Sequence, residues 1–342
     1  MTRNPFMRGI AAAAVLTAAT LAFASCSSAT TDNGPEDSDE SAEQFPEIRF
    51  GYNGDFNGAS LLAVAEDQGL WEKHGLDVTT SVFTNGPLQV QALGTDNLDF
   101  GFVGPGAMWL PASGEAQVAA INSLGNADRV IAQPGIDSIE DLRGKKVAVP
   151  EGTSGDMIVT MALASAGMTM ADVEKVAMDP STVVAAFASG QVDAAGIWYP
   201  LIDTIEQQVP DLEILAENDD FVEDVAFPSA FVTSQKFTDA HPEAAKAVVA
   251  ALRDAMDYRA ENLDETVTMT AAMLKGDATA YASDAANAVY LTAAELDELT
   301  EDGTVVTWLT SLNEYFASAG KLSEATDAST YYLGDLFVAA GE

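Results

Sequence analysis

From Pro46 onward the chain alternates short apolar runs with stretches of helical spacing, separated by glycine-bearing turns. Few architectures accept that pattern. Ile48 to Tyr52 reads as a strand, followed by the Gly-rich loop Asn53 to Gly58. Ala59 to Trp71 carries Leu61, Leu62, Val64, Ala65 and Leu70 at spacings that build one buried helical face. Lys73-His74-Gly75 ends that helix, because glycine accepts the left-handed conformation at a helix C-terminus. Leu76 to Phe83 is the next strand, and Asn85-Gly86-Pro87 opens a helix to about Leu93 with Pro87 in its first turn. Leu98 to Val103 is a strand ending in Gly104-Pro105-Gly106. The alternation predicts an α/β fold with largely parallel sheets and right-handed crossovers.

The same unit recurs about a hundred residues later. Asp179-Pro180 opens a helix through Phe187, Ser189-Gly190 ends it, and the strand beginning at Asp193 ends in Trp198-Tyr199-Pro200. Aligning Asp99 with Asp193 brings the two helices, strands and strand-end loops into register, which suggests two lobes of similar construction. Ala132 to Gly135 is expected to cross into the second lobe, where Asp137 to Leu142 is a short helix and Lys145 to Val149 a strand. Thr153-Ser154 then caps a helix to about Ala166. Ala226-Phe227-Pro228-Ser229 would return the chain to the first lobe, so residues 46–131 and 226–342 form lobe 1 and 132–225 form lobe 2. The remainder reads as mostly helical: Pro242 to Asn262, Thr266 to Lys275, Ala293 to Leu299 and Val305 to Ala319.

Ahead of the folded part, Arg3 and Arg8 precede an Ala-rich apolar run of signal-peptide length, closed by Ala24 and Ser25. Leu21-Ala22-Phe23-Ala24-Ser25-Cys26 resembles the bacterial lipobox, with Phe23 departing from the preferred Leu. Residues 1–25 are therefore expected to be a lipoprotein signal peptide, Cys26 the lipidated residue, and 26–45 an acidic, disordered tether. The expected location is the outer face of the cell membrane, held by the lipid anchor alone. With 53 acidic and 15 basic residues, a net charge of -38, the chain is a poor partner for nucleic acid. A single Cys excludes a disulfide framework, and two His leave little for a zinc site or a Ser-His triad.

The run Ala63 to Val78, then Leu93 to Gly101, Ile139 to Val149, Ala188 to Asp193 and Phe237 to Pro242 resemble the solute-binding proteins of nitrate, sulfonate, taurine and thiamin-pyrimidine ABC importers. The likeness covers nearly all of residues 46–330. Leu124-Gly125-Asn126 and the Trp198-Tyr199-Pro200 strand end are most like the taurine branch. The resemblance implies a two-lobed type II periplasmic-binding-protein fold with two hinge crossings. It also implies a small ligand held between the lobes, an ABC permease as partner, and a monomer without cofactor or metal.

Open parallel sheets bind ligands outside the carboxyl ends of their strands. That rule selects Tyr52 to Gly58, Phe83 to Pro87, Gly104 to Ala107, Glu151 to Asp156, Trp198 to Pro200 and Phe227 to Ser229, none of which contains Lys or Arg. Asp55, Glu151 and Asp156 supply carboxylates, and Phe56, Trp198, Tyr199 and Phe227 supply aromatic faces. Carboxylates with aromatic rings suit an ammonium group, each cation–π contact giving roughly 0.5–2 kcal/mol. Asn53, Gly86, Gly104, Pro105, Thr153, Ser154 and Ser229 complete the candidate ligand contacts. Several have an equally physical structural role: Asp156 at a helix dipole, Asp55 in a turn, Thr153 and Ser154 as caps, Trp198 or Tyr199 in the core. Glu151 is expected to face solvent, and Arg129 is the basic residue nearest the first crossing.

The expected ligand is a taurine-like zwitterion, a sulfonate or an amine. A thiamin-pyrimidine precursor is the alternative within the same fold. A pyrimidine-synthase-like enzyme is disfavoured, because the only Cys is Cys26 and both His74 and His241 lie in turns, leaving no nucleophile–base pair. A ligand-sensing lipoprotein that docks to a receptor is a third class.

Overall fold

The computed structural model describes residues 45–342, so the signal peptide, Cys26 and all but the last residue of the tether lie outside the described residues. Eleven strands are found among the described residues: β1 (Ile48–Asn53), β2 (Val78–Phe83), β3 (Phe100–Val103), β4 (Gln117–Gly125), β5 (Asp128–Ala132), β6 (Lys146–Val149), β7 (Glu174–Ala177), β8 (Ala194–Trp198), β9 (Glu213–Glu217), β10 (Pro228–Thr233) and β11 (Ala288–Val289). They form two sheets within one structural unit, ordered β11-β4-β10-β3-β1-β2 and β7-β6-β8-β5-β9.

The two sheets share a plan. In the first, β2, β1 and β3 are parallel, and β10 lies antiparallel between β3 and β4. In the second, β7, β6 and β8 are parallel, and β5 lies antiparallel between β8 and β9. Each sheet thus includes an antiparallel strand, β10 or β5, that follows directly in sequence from a strand of the other sheet. This is the two-sheet α/β arrangement that the sequence resemblance implies.

The internal repeat extends to single hydrogen bonds. Asp99, just before β3, accepts from the Arg49 backbone N–H at 2.8 Å, and Asp193, just before β8, accepts from the Lys146 N–H at 2.8 Å. In both sheets an aspartate therefore fixes the start of the first parallel strand against the third.

Both crossings are defined by the strands they join. Residues 132–135 do not form the first crossing, because β5 already pairs with β8 and β9. The chain passes between the sheets at Asn126-Ala127, and β5 is long enough to read as a continuation of the preceding apolar run. The second passage lies between Phe221 and Pro228. The two are tied by the Gly125 N–H donating to the Phe227 carbonyl at 2.9 Å.

Local signals place the helices that flank the parallel strands. Phe56–Asp67 starts where the Asp55 side chain accepts from the Gly58 N–H, and Gly86–Gly94 starts where Asn85 does the same for Leu88. The single helix expected from Ala59 to Trp71 is broken at Gly69, whose φ of 64° starts a separate turn at Leu70–Lys73. At the sheet centre Phe50 stacks on Phe100 with centroids 5.4 Å apart, and Phe231 meets it edge-on at 5.5 Å. The long helix Pro242–Glu261 lays Val248, Val249, Leu252 and Met256 into the same core. Each such residue contributes about 1.5–3 kcal/mol of apolar burial. No helix among the described residues is long and apolar enough to cross a membrane.

Candidate functional site

The carboxyl ends of β1, β2 and β3 face those of β6 and β8, with the first crossing beside them, and a cavity of about 50 Å³ lies between. Its walls include Asn53, Asp55, Asn57, Asn85, Gly86, Phe102, Gly104 and Pro105 from the first sheet and its loops. Thr153, Ser154, Trp198 and Tyr199 come from the second, Ala127 and Asp128 from the crossing, and Asp284 from the helix Ala278–Ala285. The space suits a compact ligand and is far too small for a dinucleotide.

Close backbone approaches set this geometry. The helix Ser154–Ser165 begins hard against β8, so that a Cβ on Gly155 would strike the Gly196 carbonyl. Across the cleft, a Cβ on Gly106 would fall inside contact distance of the Thr153 carbonyl and Ser154 nitrogen. The Trp109 indole N–H also donates to the Gly152 carbonyl at 3.3 Å. The two sheets' loops therefore meet without side chains between them at this point.

Behind the wall, a polar network holds the lining in place. Gln89, fully buried, donates to Asn53 Oδ1 at 2.9 Å and accepts from the Phe102 N–H at 2.8 Å, joining the ends of β1 and β3. Asn57 Oδ1 accepts from Asn122 Nδ2 at 2.6 Å and from the Ser123 hydroxyl at 2.7 Å. Asn122 Oδ1 in turn accepts from Arg259 at 2.8 Å. Arg259 is wholly buried, with its guanidinium 4.4 Å from the Tyr290 ring centroid. Burial pulls its pKa down to about 10, which leaves it protonated at neutral pH.

Three aspartates dominate the electrostatics. Asp55 Oδ1 accepts from the Gly58 N–H at 2.7 Å, and Asp284 Oδ2 accepts from the Phe56 N–H at 2.7 Å. Asp128 Oδ2 accepts from Asn218 at 3.3 Å, while Asp128 Oδ1 is buried without a hydrogen-bond partner. Burial pushes Asp55 up to about 6 against the help of the Gly58 N–H and Trp198, and the Asp128 charge adds to the rise. Burial likewise pushes Asp128 up to about 6, moderated by Ser154, Asn218 and Arg129. Asp284 is raised well above the ordinary carboxylate value, first by burial and then by the charge of Asp55. Among the described residues, no Lys, Arg or His lines this cavity.

The structure gathers Asn53, Asp55, Gly86, Gly104, Pro105, Thr153, Ser154, Trp198 and Tyr199 around one space. Four other candidates lie elsewhere. Phe56 packs into a satellite core with Val267, Ala285 and Tyr290, because its position in the first helical turn points inward. Asp156 turns to the far side of its helix, into a separate cavity, where Lys175 reaches Oδ1 at 2.9 Å and Lys321 reaches Oδ2 at 3.1 Å. Burial raises its pKa, but the Gly152 N–H and the two lysines outweigh that and hold it below the ordinary value. Phe227 is core, contributing only its backbone to the crossing. Ser229 is buried in β10, with its hydroxyl 2.9 Å from that of Ser123.

Thr153 caps nothing with its hydroxyl, which donates to the Pro150 carbonyl at 2.6 Å. Glu151 is exposed and pairs with Lys175 at 3.0 Å. Arg129 turns away from the cavity to Glu217 at 3.1 Å and lies over the Tyr199 ring at 5.6 Å. Asn57, Asn85, Phe102, Asp128 and Asp284 were not among the candidates. Asp128 could have been found from the apolar run Val130-Ile131-Ala132 that follows it, which marks the start of a strand. Asp284 carries no local signal.

The comparisons with known proteins point the same way. The family described as "NMT1/THI5 like" matches residues 58–266. A protein of Brucella abortus (strain 2308), provisionally named a binding protein, is 53% identical over 298 residues, 87% of this chain and 93% of that protein. The taurine-binding periplasmic protein of Escherichia coli (strain K12) is 27% identical over 198 residues, covering 56% of this chain and 61% of its own. Among solved structures, the alkanesulfonate-binding protein SsuA of Xanthomonas axonopodis pv. citri bound to MOPS superimposes with a TM-score of 0.68 at 20% identity, covering 85% of this chain and 99% of that one. The desulfurization enzyme DszB shares the fold at 14% identity, with a TM-score of 0.64 over 86% of this chain and 99% of its own.

Proposed function

The chain belongs to the NMT1/THI5-like family, and on that premise we propose that it is the solute-binding component of an ABC importer, capturing a small organic ligand between its two sheets. The observation that carries this reading is the small polar-aromatic cavity between the carboxyl ends of the parallel strands of both sheets, beside a crossing. On this reading the sheets move as two lobes about Asn126-Ala127 and the segment between Phe221 and Pro228. Closing them buries the ligand, and the permease recognises the closed form. Attachment through lipidated Cys26 would hold the protein on the outer face of the membrane.

The cleft is read as binding without chemistry. His74 pairs with Asp254 at 2.7 Å outside the cavity, and His241 lies tilted against Phe237 with ring centroids 5.3 Å apart, so neither is part of the cleft lining. The test is thermal unfolding against a charge-sorted panel of small amines, aminopyrimidines, taurine, alkyl sulfonates and nitrate. A ligand at about 100 times its Kd should add about 2.7 kcal/mol of stability. The reading is abandoned if no compound raises the Tm, or if a stabilising compound is recovered chemically changed.

A further inference from the structure

The negative charge of the cleft bears on ligand class, provided that the cleft is the solute site proposed above. Asp55, Asp128 and Asp284 come from the end of β1, the start of β5 and a C-terminal helix, and are 9%, 4% and 3% exposed respectively. Carboxylates drawn from such distant parts of the chain into one buried space cost stability unless something compensates them. Among the described residues no basic side chain lines the cavity, and the adjacent Arg129 is engaged by Glu217.

An anionic ligand would have to use helix N-terminal amides. Those of the helix Phe56–Asp67 are already occupied by the protein's own carboxylates, since Gly58 N–H donates to Asp55 and Phe56 N–H to Asp284. One acceptor atom is left over: Asp128 Oδ1 is buried and makes no hydrogen bond of good geometry, on a residue that lines the cavity and whose carboxylate Asn218 and Ser154 otherwise support. Buried acceptors in folded proteins are nearly always satisfied. Among the described residues no three His, Cys, Asp or Glu side chains stand close enough to share a metal ion, so the charge is spread around the cavity wall. Trp198, Tyr199 and Phe102 complete that wall with aromatic faces.

We propose that the ligand presents an organic cation, an alkylammonium or amidinium group, that donates to Asp128 Oδ1 between Asp55 and Asp284 with the aromatic rings against its carbon framework.

The test is calorimetric titration of the full chain with three probes on one two-carbon stem, ethylammonium, ethanesulfonate and taurine, extended to guanidinium and amidinium compounds. At least one cation is expected to bind, and ethanesulfonate is not. Asp128→Asn should weaken that cation at least about tenfold, while its own unfolding temperature equals or exceeds wild type, which separates lost contact from lost fold. Binding of ethanesulfonate in the cleft, or cation affinity unchanged in both Asp128→Asn and Asp55→Asn, overturns the cation assignment and leaves the solute-binding reading intact. If no cation, anion or zwitterion binds, both fall.

Discussion

Raising the pH should destabilise the unliganded protein across the range where most proteins are indifferent to it. Asp55 and Asp128 each move from an ordinary 3.8 to about 6 on folding, chiefly by burial. A raised carboxylate favours the folded state while protonated, so its contribution is fully present below 3.8 and lost as the pH climbs through about 6. At about 1.4 kcal/mol per pKa unit, complete ionisation costs about 3 kcal/mol per group. About half of that falls between about pH 5 and about pH 7.5, near 1.4 kcal/mol each, and Asp284 acts in the same direction. The assay is urea unfolding at those two pH values for wild type and Asp128→Asn. The variant should be the more stable at the higher pH and should lose about 1.4 kcal/mol less between them. Taking the difference between the two proteins cancels contributions from distant sites that the substitution leaves alone. Parallel pH profiles for wild type and variant would refute the claim that burial of the Asp128 carboxylate outweighs its partners.

Three further outcomes rest on the same geometry. Gly106→Ala places a methyl group into the Thr153–Ser154 backbone across the cleft, an overpacking that should cost the free protein about 1–3 kcal/mol in urea unfolding and weaken ligand in a titration by displacing the cavity wall. Asp156→Asn strips Lys175 and Lys321 of their shared partner and should lower stability by about 1–3 kcal/mol at neutral pH, measured by urea unfolding. Because the Asp156 pKa is lowered, that loss should vanish only in acid, as the pH falls below 3.8. Trp198→Ala should weaken the ligand in a titration, whereas Phe227→Leu should change stability alone, since only Trp198 lines the cavity.

How far the sequence reaches is best seen in the aspartates. Asp55 was legible because the loop after β1 must lie at the sheet's carboxyl edge, although its capping of the helix through the Gly58 N–H was read only as a turn. Asp156 carried an equally good local signal and faces the other way, because one position along a helix turns a side chain by about 100°. Asp128 was hidden by placing the crossing six residues late, at the far end of β5, where an apolar run gives no sign of changing sheets. Asp284 reaches the cleft by a fold-back of the C-terminal helices, a tertiary fact with no short-range sequence signature. Phe56 and Phe227 failed for the same reason as Asp156: the segment was right, and the side-chain direction was decided by packing against Tyr290 and the main core.

The most direct measurement is a crystal structure of the protein with the organic cation that binds it most tightly in the titration series. Capture between the two sheets predicts density enclosed by Trp198, Gly104 and Asn53, with a nitrogen within hydrogen-bonding distance of Asp128 Oδ1. Density for the cation anywhere outside this cavity, or an anion seated within it, would contradict the account.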